Sequence, residues 1–215
     1  MTLKVNEIFF SIQGESTYAG RPCVFVRLTG CNLRCSYCDT TYAYEEGSLM
    51  GMEEIVEKVK SFGCSLVEVT GGEPLLQDKT PLLINTLLDS GFTVLLETNG
   101  SKDIDAVDGR CVKIMDIKCP SSGEESKNDP ENLHRLNHGD ELKLVISNRA
   151  DYDFAVDILS HIPEDKKKGI HILISPCFGK IAPHELTEWI LKDKLDVRLN
   201  LQLHKYIWPP DMRGV

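Results

Sequence analysis

Short apolar runs alternate with helix-length segments along most of this 215-residue chain, and several of the runs end in small polar or glycine residues. Residues 24–28 read VFVRL and stop at Thr29-Gly30; residues 65–70 read SLVEVT and run into Gly71-Gly72. Residues 92–98 (FTVLLET) end at Asn99-Gly100, and further runs occupy 111–117 (CVKIMDI), 141–147 (ELKLVIS), 170–175 (IHILIS) and 197–203. Between them, apolar residues at 52, 55, 56, 59 and 62 fall at helical spacing. Glu53 and Glu54 suit the first turn of that helix and Gly63 ends it. Thr80 with Pro81 predicts a capped helix start stopped by Gly91; residues 150–162, halted by Pro163, and 183–192 are also helical. The alternation predicts βαβ units in a parallel sheet with right-handed connections, in one α/β domain spanning 1–215. In such a sheet the C-terminal strand ends share the ligand-binding face, so Thr29-Gly30 and residues 70–73, 97–100, 116–118 and 175–176 become neighbours in space.

Composition removes several function classes. With 41% hydrophobic and 27% charged residues the chain is globular rather than disordered. No apolar stretch reaches the roughly 18 residues of a transmembrane helix, and the first residues, MTLKVNEIFFSIQGES, lack the pattern of a secretion leader. Twenty-four Lys and Arg against 33 Asp and Glu give a net charge of −9, which offers no broad footprint for nucleic acid. An anionic small substrate would therefore need a locally basic pocket. Residues 121–139 are polar and read as a long loop.

Eight cysteines are many, yet a chain with this much apolar core needs no disulfide staples. Cys31, Cys35 and Cys38 crowd into eight positions, while Cys23, Cys64, Cys111, Cys119 and Cys177 are scattered and read, for the most part, as small buried residues. Three neighbouring thiols suit a metal or a cluster. Structural zinc requires a fourth ligand, and no second CxxC exists; Cys64, Cys119 or the pair His134 and His138 would have to supply it. A 4Fe–4S cluster held by three thiolates leaves one iron open for another ligand. Both readings stand on spacing alone.

The CxxxCxxC spacing, with the aromatic Tyr37 before the last cysteine, resembles the signature of the radical S-adenosylmethionine (SAM) superfamily. Residues 70–74 (TGGEP) resemble its glycine-rich motif, whose backbone approaches the SAM amino group. That resemblance implies a partial (β/α)6-type barrel of mostly parallel strands. It also implies a cluster on Cys31, Cys35 and Cys38, and SAM chelating the open iron and yielding a deoxyadenosyl radical. Over nearly its whole length the chain further resembles the 7-carboxy-7-deazaguanine synthases, through IQGES, the run from Arg27 to Cys31, CDT, TGGEP, LETNG, DIKCPSSG and LQLHKY.

The resemblance implies that 6-carboxy-5,6,7,8-tetrahydropterin loses a hydrogen at C6, contracts its ring and releases ammonia to give 7-carboxy-7-deazaguanine, the deazapurine on the way to queuosine. SAM is regenerated and Mg2+ assists. Carried over residue by residue, Ile12, Gln13, Gly14, Glu15, Thr70 and His204 contact substrate, and Arg27 takes its carboxylate. Tyr37, Asp39, Gly71, Gly72, Glu73, Glu97, Asp116 and Lys118 contact SAM, as do Ser175, Pro176, Cys177 and Phe178, while Thr40 binds magnesium. From the residues alone, Arg27 in an apolar strand could equally serve an internal salt bridge, and Glu15 could be a surface acid. An N-terminal extension (1–22) and a C-terminal tail (204–215) are expected to close the substrate site. The chain departs from the family in reading Glu15-Ser16 where Glu-Gly is common, and in continuing past HKY as IWPPDMRGV. A flavodoxin-type reductant, a homodimer and a cytoplasmic setting follow from the resemblance. The competing readings are a glycyl-radical-enzyme activating enzyme and a zinc-stabilised binding module.

Overall fold

A computed structural model describes all 215 residues. Nine strands, β1 (Thr2–Ile12), β2 (Pro22–Leu28), β3 (Ser48–Gly51), β4 (Leu66–Gly71), β5 (Thr93–Thr98), β6 (Val112–Ile117), β7 (Glu141–Ile146), β8 (His171–Pro176) and β9 (Arg198–Leu199), form one sheet. Its order is β3-β1-β2-β4-β5-β6-β7-β8-β9. From β2 through β4 to β8 all neighbours are parallel, whereas β1 pairs antiparallel with β2 and β3 antiparallel with β1. β9 also pairs parallel with β8, and the edges β3 and β9 do not meet, so the seven parallel strands make a partial barrel. Four helices, α1 (Met52–Lys60), α2 (Thr80–Asp89), α4 (Arg149–His161) and α6 (Pro183–Asp193), accompany three single turns: α3 (Asn132–Arg135), α5 (Glu164–Lys167) and α7 (His204–Ile207). No helix is long and apolar enough to cross a membrane.

Strand parity sorts the side chains. Val24, Val26, Val67, Val69, Val94 and Leu96 point outward into a core of 17 buried residues shared with α1 and α2. Leu142, Leu144 and Ile146 do the same on the other half, against Tyr152, Ala155, Leu186 and Ile190 of α4 and α6. Each such side chain contributes roughly 1.5–3 kcal/mol by leaving water. The opposite parity faces the lumen. There Cys23, Phe25, Leu66, Leu95 and Ile114 plug the floor. Nearer the C-terminal ends the inward residues turn polar: Arg27, Glu68, Thr70, Glu97, Asp116 and Lys143.

The sequence-based elements recur with several differences, and β3, α5 and α7 have no counterpart in the sequence pattern. Residues 2–12 form the long strand β1, whose register with β2 places Glu7 beside Arg27. Thr80 is not a cap; it opens α2, and its hydroxyl donates to the Pro74 carbonyl at 2.6 Å. The strand expected at 197–203 shrinks to Arg198–Leu199 because Asn200 turns in, its N–H bonding Ile174 O and its amide bonding Ser175 Oγ. The polar 121–139 segment contains two 3-10 turns and α3.

Candidate active site

A cavity of about 700 Å³ opens where the parallel strands end. The loop after β2 brings Cys31, Cys35 and Cys38 to its wall. The 121–139 segment clamps that loop: Ser36 N donates to Ser122 O at 3.0 Å, Ser36 Oγ to Ser121 O at 2.6 Å, and Arg34 N to Glu124 Oε1 at 2.7 Å. Buried Asp151 anchors the clamp in turn, accepting from Ser121 N and Ser147 N at 2.8 and 2.9 Å. Burial pushes the Cys31 and Cys35 thiols above their ordinary value, so a metal that binds them as thiolates displaces protons.

The paired glycines after β4 have a reason internal to the protein. Gly71 sits at φ +152°, and a Cβ on Gly72 would lie 2.3 Å from Gly30 O and 2.6 Å from Cys31 Cβ. Only a missing side chain lets β4 run this close beneath the cysteine loop. Glu73 then leaves the cavity wall: fully buried, it accepts from Leu75 N, Asn99 N and the Thr98 hydroxyl at 2.7–2.9 Å and ties β4 to β5. Ser175 is buried as well, its hydroxyl accepting from Asn200, and Pro176 lines a smaller neighbouring pocket. Every other residue assigned from the sequence to the cluster, SAM, substrate or magnesium lines the cavity.

Charge is concentrated on the floor. Lys143, on β7 and 4% exposed, reaches Glu15 Oε2 at 2.8 Å, also bonds Glu97, and lies 3.7 Å from Asp116 Oδ2. Burial alone would lower this ammonium's pKa, but the three carboxylates raise it well above its ordinary value. Burial would likewise raise Glu15; Lys143, His204 and Gln202 together outweigh it and hold the carboxyl below the usual range. Gln202 donates to Glu15 at 2.9 Å, so Glu15 is no surface acid. Lys118 bonds Asp116 Oδ2 at 2.8 Å, while Asp116 Oδ1 and the Tyr37 hydroxyl are buried with no protein partner.

Arg27 gives the internal salt bridge: its Nε donates to Glu7 Oε1 at 2.8 Å, and Tyr42 donates to the same oxygen at 3.1 Å. Its two terminal nitrogens make no hydrogen bond within the protein. Asp39 pairs with Lys205 at 2.6 Å and accepts from the Thr40 hydroxyl at 2.9 Å; burial would raise its carboxyl, but Lys205 brings it down to about 2. The His204 ring lies against Gly14, where a Cβ would sit 2.3 Å from Nδ1, and burial lowers its pKa. The tail returns to the mouth, with Arg213 over the Tyr42 ring at 3.8 Å and 3.1 Å from Glu46.

Lys143, Glu68 and Lys205 did not emerge from motif reading. Lys143 and Glu68 carry the same signal as Arg27, a charged residue inside an apolar strand at lumen parity. Lys113 looks identical in sequence but has outward parity and pairs with buried Asp140.

The donors fit a cluster better than zinc. No three His, Cys, Asp or Glu side chains converge on one point as a single ion requires. Cys64 donates to Pro22 O at the far end of β2, and Cys119 belongs to the outer core. Three thiols spread along one loop suit a larger inorganic core, with Tyr37 and Asp116 facing the same space.

Residues 25–110 match the model of the radical SAM superfamily. A 7-carboxy-7-deazaguanine synthase from Chlorobaculum tepidum is 50% identical over 217 residues, covering 99% of this chain and 97% of that one. Another from Koribacter versatilis is 45% identical over 228 residues, covering 99% and 100%. The crystal structure of QueE from Escherichia coli superposes with a TM-score of 0.79 at 24% identity, covering 95% of both chains, which establishes the fold. These relatives exclude the zinc module and the glycyl-radical activating enzyme, and the superfamily implies a 4Fe–4S cluster and SAM. With full-length identity this high and the cysteine loop at the mouth of the partial barrel, the chain belongs to the 7-carboxy-7-deazaguanine synthase family of radical SAM enzymes.

Proposed function

We propose that the chain converts 6-carboxy-5,6,7,8-tetrahydropterin to 7-carboxy-7-deazaguanine with release of ammonia, assisted by Mg2+. The observation that carries this reading is that one cavity holds both the cysteine loop and the unspent face of the Arg27 guanidinium. Glu7 fixes Arg27 through Nε, which leaves a planar fork suited to a substrate carboxylate. Cys31, Cys35 and Cys38 would hold the cluster, which with SAM bound supplies abstraction of a hydrogen atom.

Around them, Tyr37, Asp39, Gly72, Asp116, Lys118, Cys177 and Phe178 would seat SAM. The backbone of residues 12–14, Thr70 and His204 would grip the heterocycle. Glu15, already held by Lys143 and Gln202, would fix that backbone rather than read the ring. Thr40, oriented by Asp39, would offer its hydroxyl to magnesium, which takes few protein ligands. The tail, pinned by Arg213, would cover the bound substrate. A flavodoxin-type reductant, a homodimer and a reducing cytoplasm complete the reading.

The test is anaerobic turnover of carboxytetrahydropterin with SAM, dithionite and Mg2+. Carboxydeazaguanine is expected from the wild type, and none from Cys35→Ala, which should also lose the cluster's visible absorbance. SAM cleavage with the pterin left unchanged would refute the substrate assignment.

A further inference from the structure

Glu68 has no part in the roles above, yet it is the one carboxyl on the cavity floor without a cation in contact. It lies two residues before Thr70 on β4, is 3% exposed, and its Oε2 accepts from the Gln13 amide. Oε1 has no protein partner. Its strand neighbours in register are Phe25 and Leu95, both part of the apolar plug. The titratable groups around it are Cys23 and Arg27 on β2, Glu15 on the loop after β1, Glu97 on β5, Cys111 before β6 and Lys143 on β7. Lys143 is already committed to Glu15 and Glu97, and Arg27 to Glu7. Burial, and then Glu97, therefore push the Glu68 carboxyl well above the usual range, which favours its neutral form.

A neutral carboxyl has one O–H donor and one carbonyl acceptor side by side. With Oε2 as the carbonyl, already receiving Gln13, the proton belongs on Oε1, the oxygen with no partner. That pair complements a ring nitrogen acceptor flanked by an exocyclic N–H, the edge of a 2-aminopyrimidine. We propose that Glu68 is a specificity-determining residue that reads the 2-amino edge of the heterocycle in its protonated form, with Gln13 fixing its orientation. The inference rests on the pterin reading above. It adds the group that distinguishes an amino-substituted ring from its oxo counterpart, since a site built to hydrogen-bond one edge rejects the analogue that lacks it.

Binding of unreactive 6-carboxypterin to the cluster-loaded, SAM-bound protein tests it by calorimetry. If the wild type does not bind 6-carboxypterin, the pterin reading itself fails. If it binds, Glu68→Gln should retain affinity within about threefold, because its amide presents the same donor and acceptor, whereas Glu68→Leu should lose roughly tenfold or more. The 2-oxo analogue, 6-carboxylumazine, should bind the wild type roughly tenfold more weakly. Unchanged affinity in Glu68→Leu, a tenfold loss in Glu68→Gln, or equal binding of the two heterocycles would each overturn the assignment while leaving the pterin reading intact. Cluster absorbance and SAM affinity report folding, and if Glu68→Leu fails to fold, Glu68→Gln and the two ligands decide.

Discussion

Replacing Lys143 by Met keeps the aliphatic stem and removes only the ammonium that three carboxylates share. The side chain is 6% exposed, so water cannot take over its role. At 2.8 Å from Glu15, and with an effective dielectric of about 20, the attraction to that one carboxylate is roughly 6 kcal/mol, much of it offset by desolvation of the ammonium. Loss of one partner from a buried cluster of this kind costs about 3–5 kcal/mol, which for a chain this long lowers Tm by roughly 6–20 °C. The effect has a pH signature. In the wild type Glu15 lies below its ordinary value of 4.5, so its contribution is complete above that value and is lost as pH falls through the depressed one. In Lys143→Met, burial acts on Glu15 without that opposing cation and raises it, which makes its charge a cost that protonation relieves. Calorimetric unfolding of the apo protein should therefore show the largest deficit near about pH 7, shrinking toward about pH 5. A Tm within about 2 °C of wild type, or a deficit that stays constant between those pH values, would refute the claim that Lys143 holds the floor together.

Arg27→Ala should raise KM for the carboxytetrahydropterin by roughly 10- to 100-fold, the loss of a charge-assisted contact, while cluster absorbance and SAM affinity stay unchanged; a lost cluster would make Arg27 purely structural. Gly72→Ala forces a methyl into Gly30 O and Cys31 Cβ, so it should cost about 1–3 kcal/mol and lower the iron bound per chain on reconstitution; full iron loading with an unshifted Tm would count against the close approach. Thr40→Val should abolish the stimulation of turnover by Mg2+ without altering SAM affinity, and a magnesium response equal to wild type would place the ion elsewhere.

The gathering of the strand ends on one face was the part of the site that could be read from sequence. Cys31, Cys35 and Cys38, the Gly71-Gly72 turn and the strand-end residues gathered on one face because parallel strands leave no other arrangement, and the parallel strands followed from the same alternation. The chain's own pairings were less legible. A Lys in VKIMDI and a Lys in ELKLVIS look alike, yet Lys113 turns outward to Asp140 and Lys143 inward to three acids. The difference follows from which neighbours on each strand enter the helix-facing core. Met115 fixes the parity of β6, and Leu142 with Leu144 that of β7. Read this way, Arg27, Glu68, Glu97, Asp116 and Lys143 form one polar layer above the apolar plug of Phe25, Leu95 and Ile114. What parity could not supply is partner choice across long separations, such as Glu15 with Lys143, Asp39 with Lys205 and Arg213 with Tyr42, because the loop after β1 and the tail carry no periodic signal. The plug excludes water below that layer and the tail lies across its mouth. Its charges therefore act at short range within the cavity, which lets a chain with a net charge of −9 keep the Arg27 fork as a locally cationic group there.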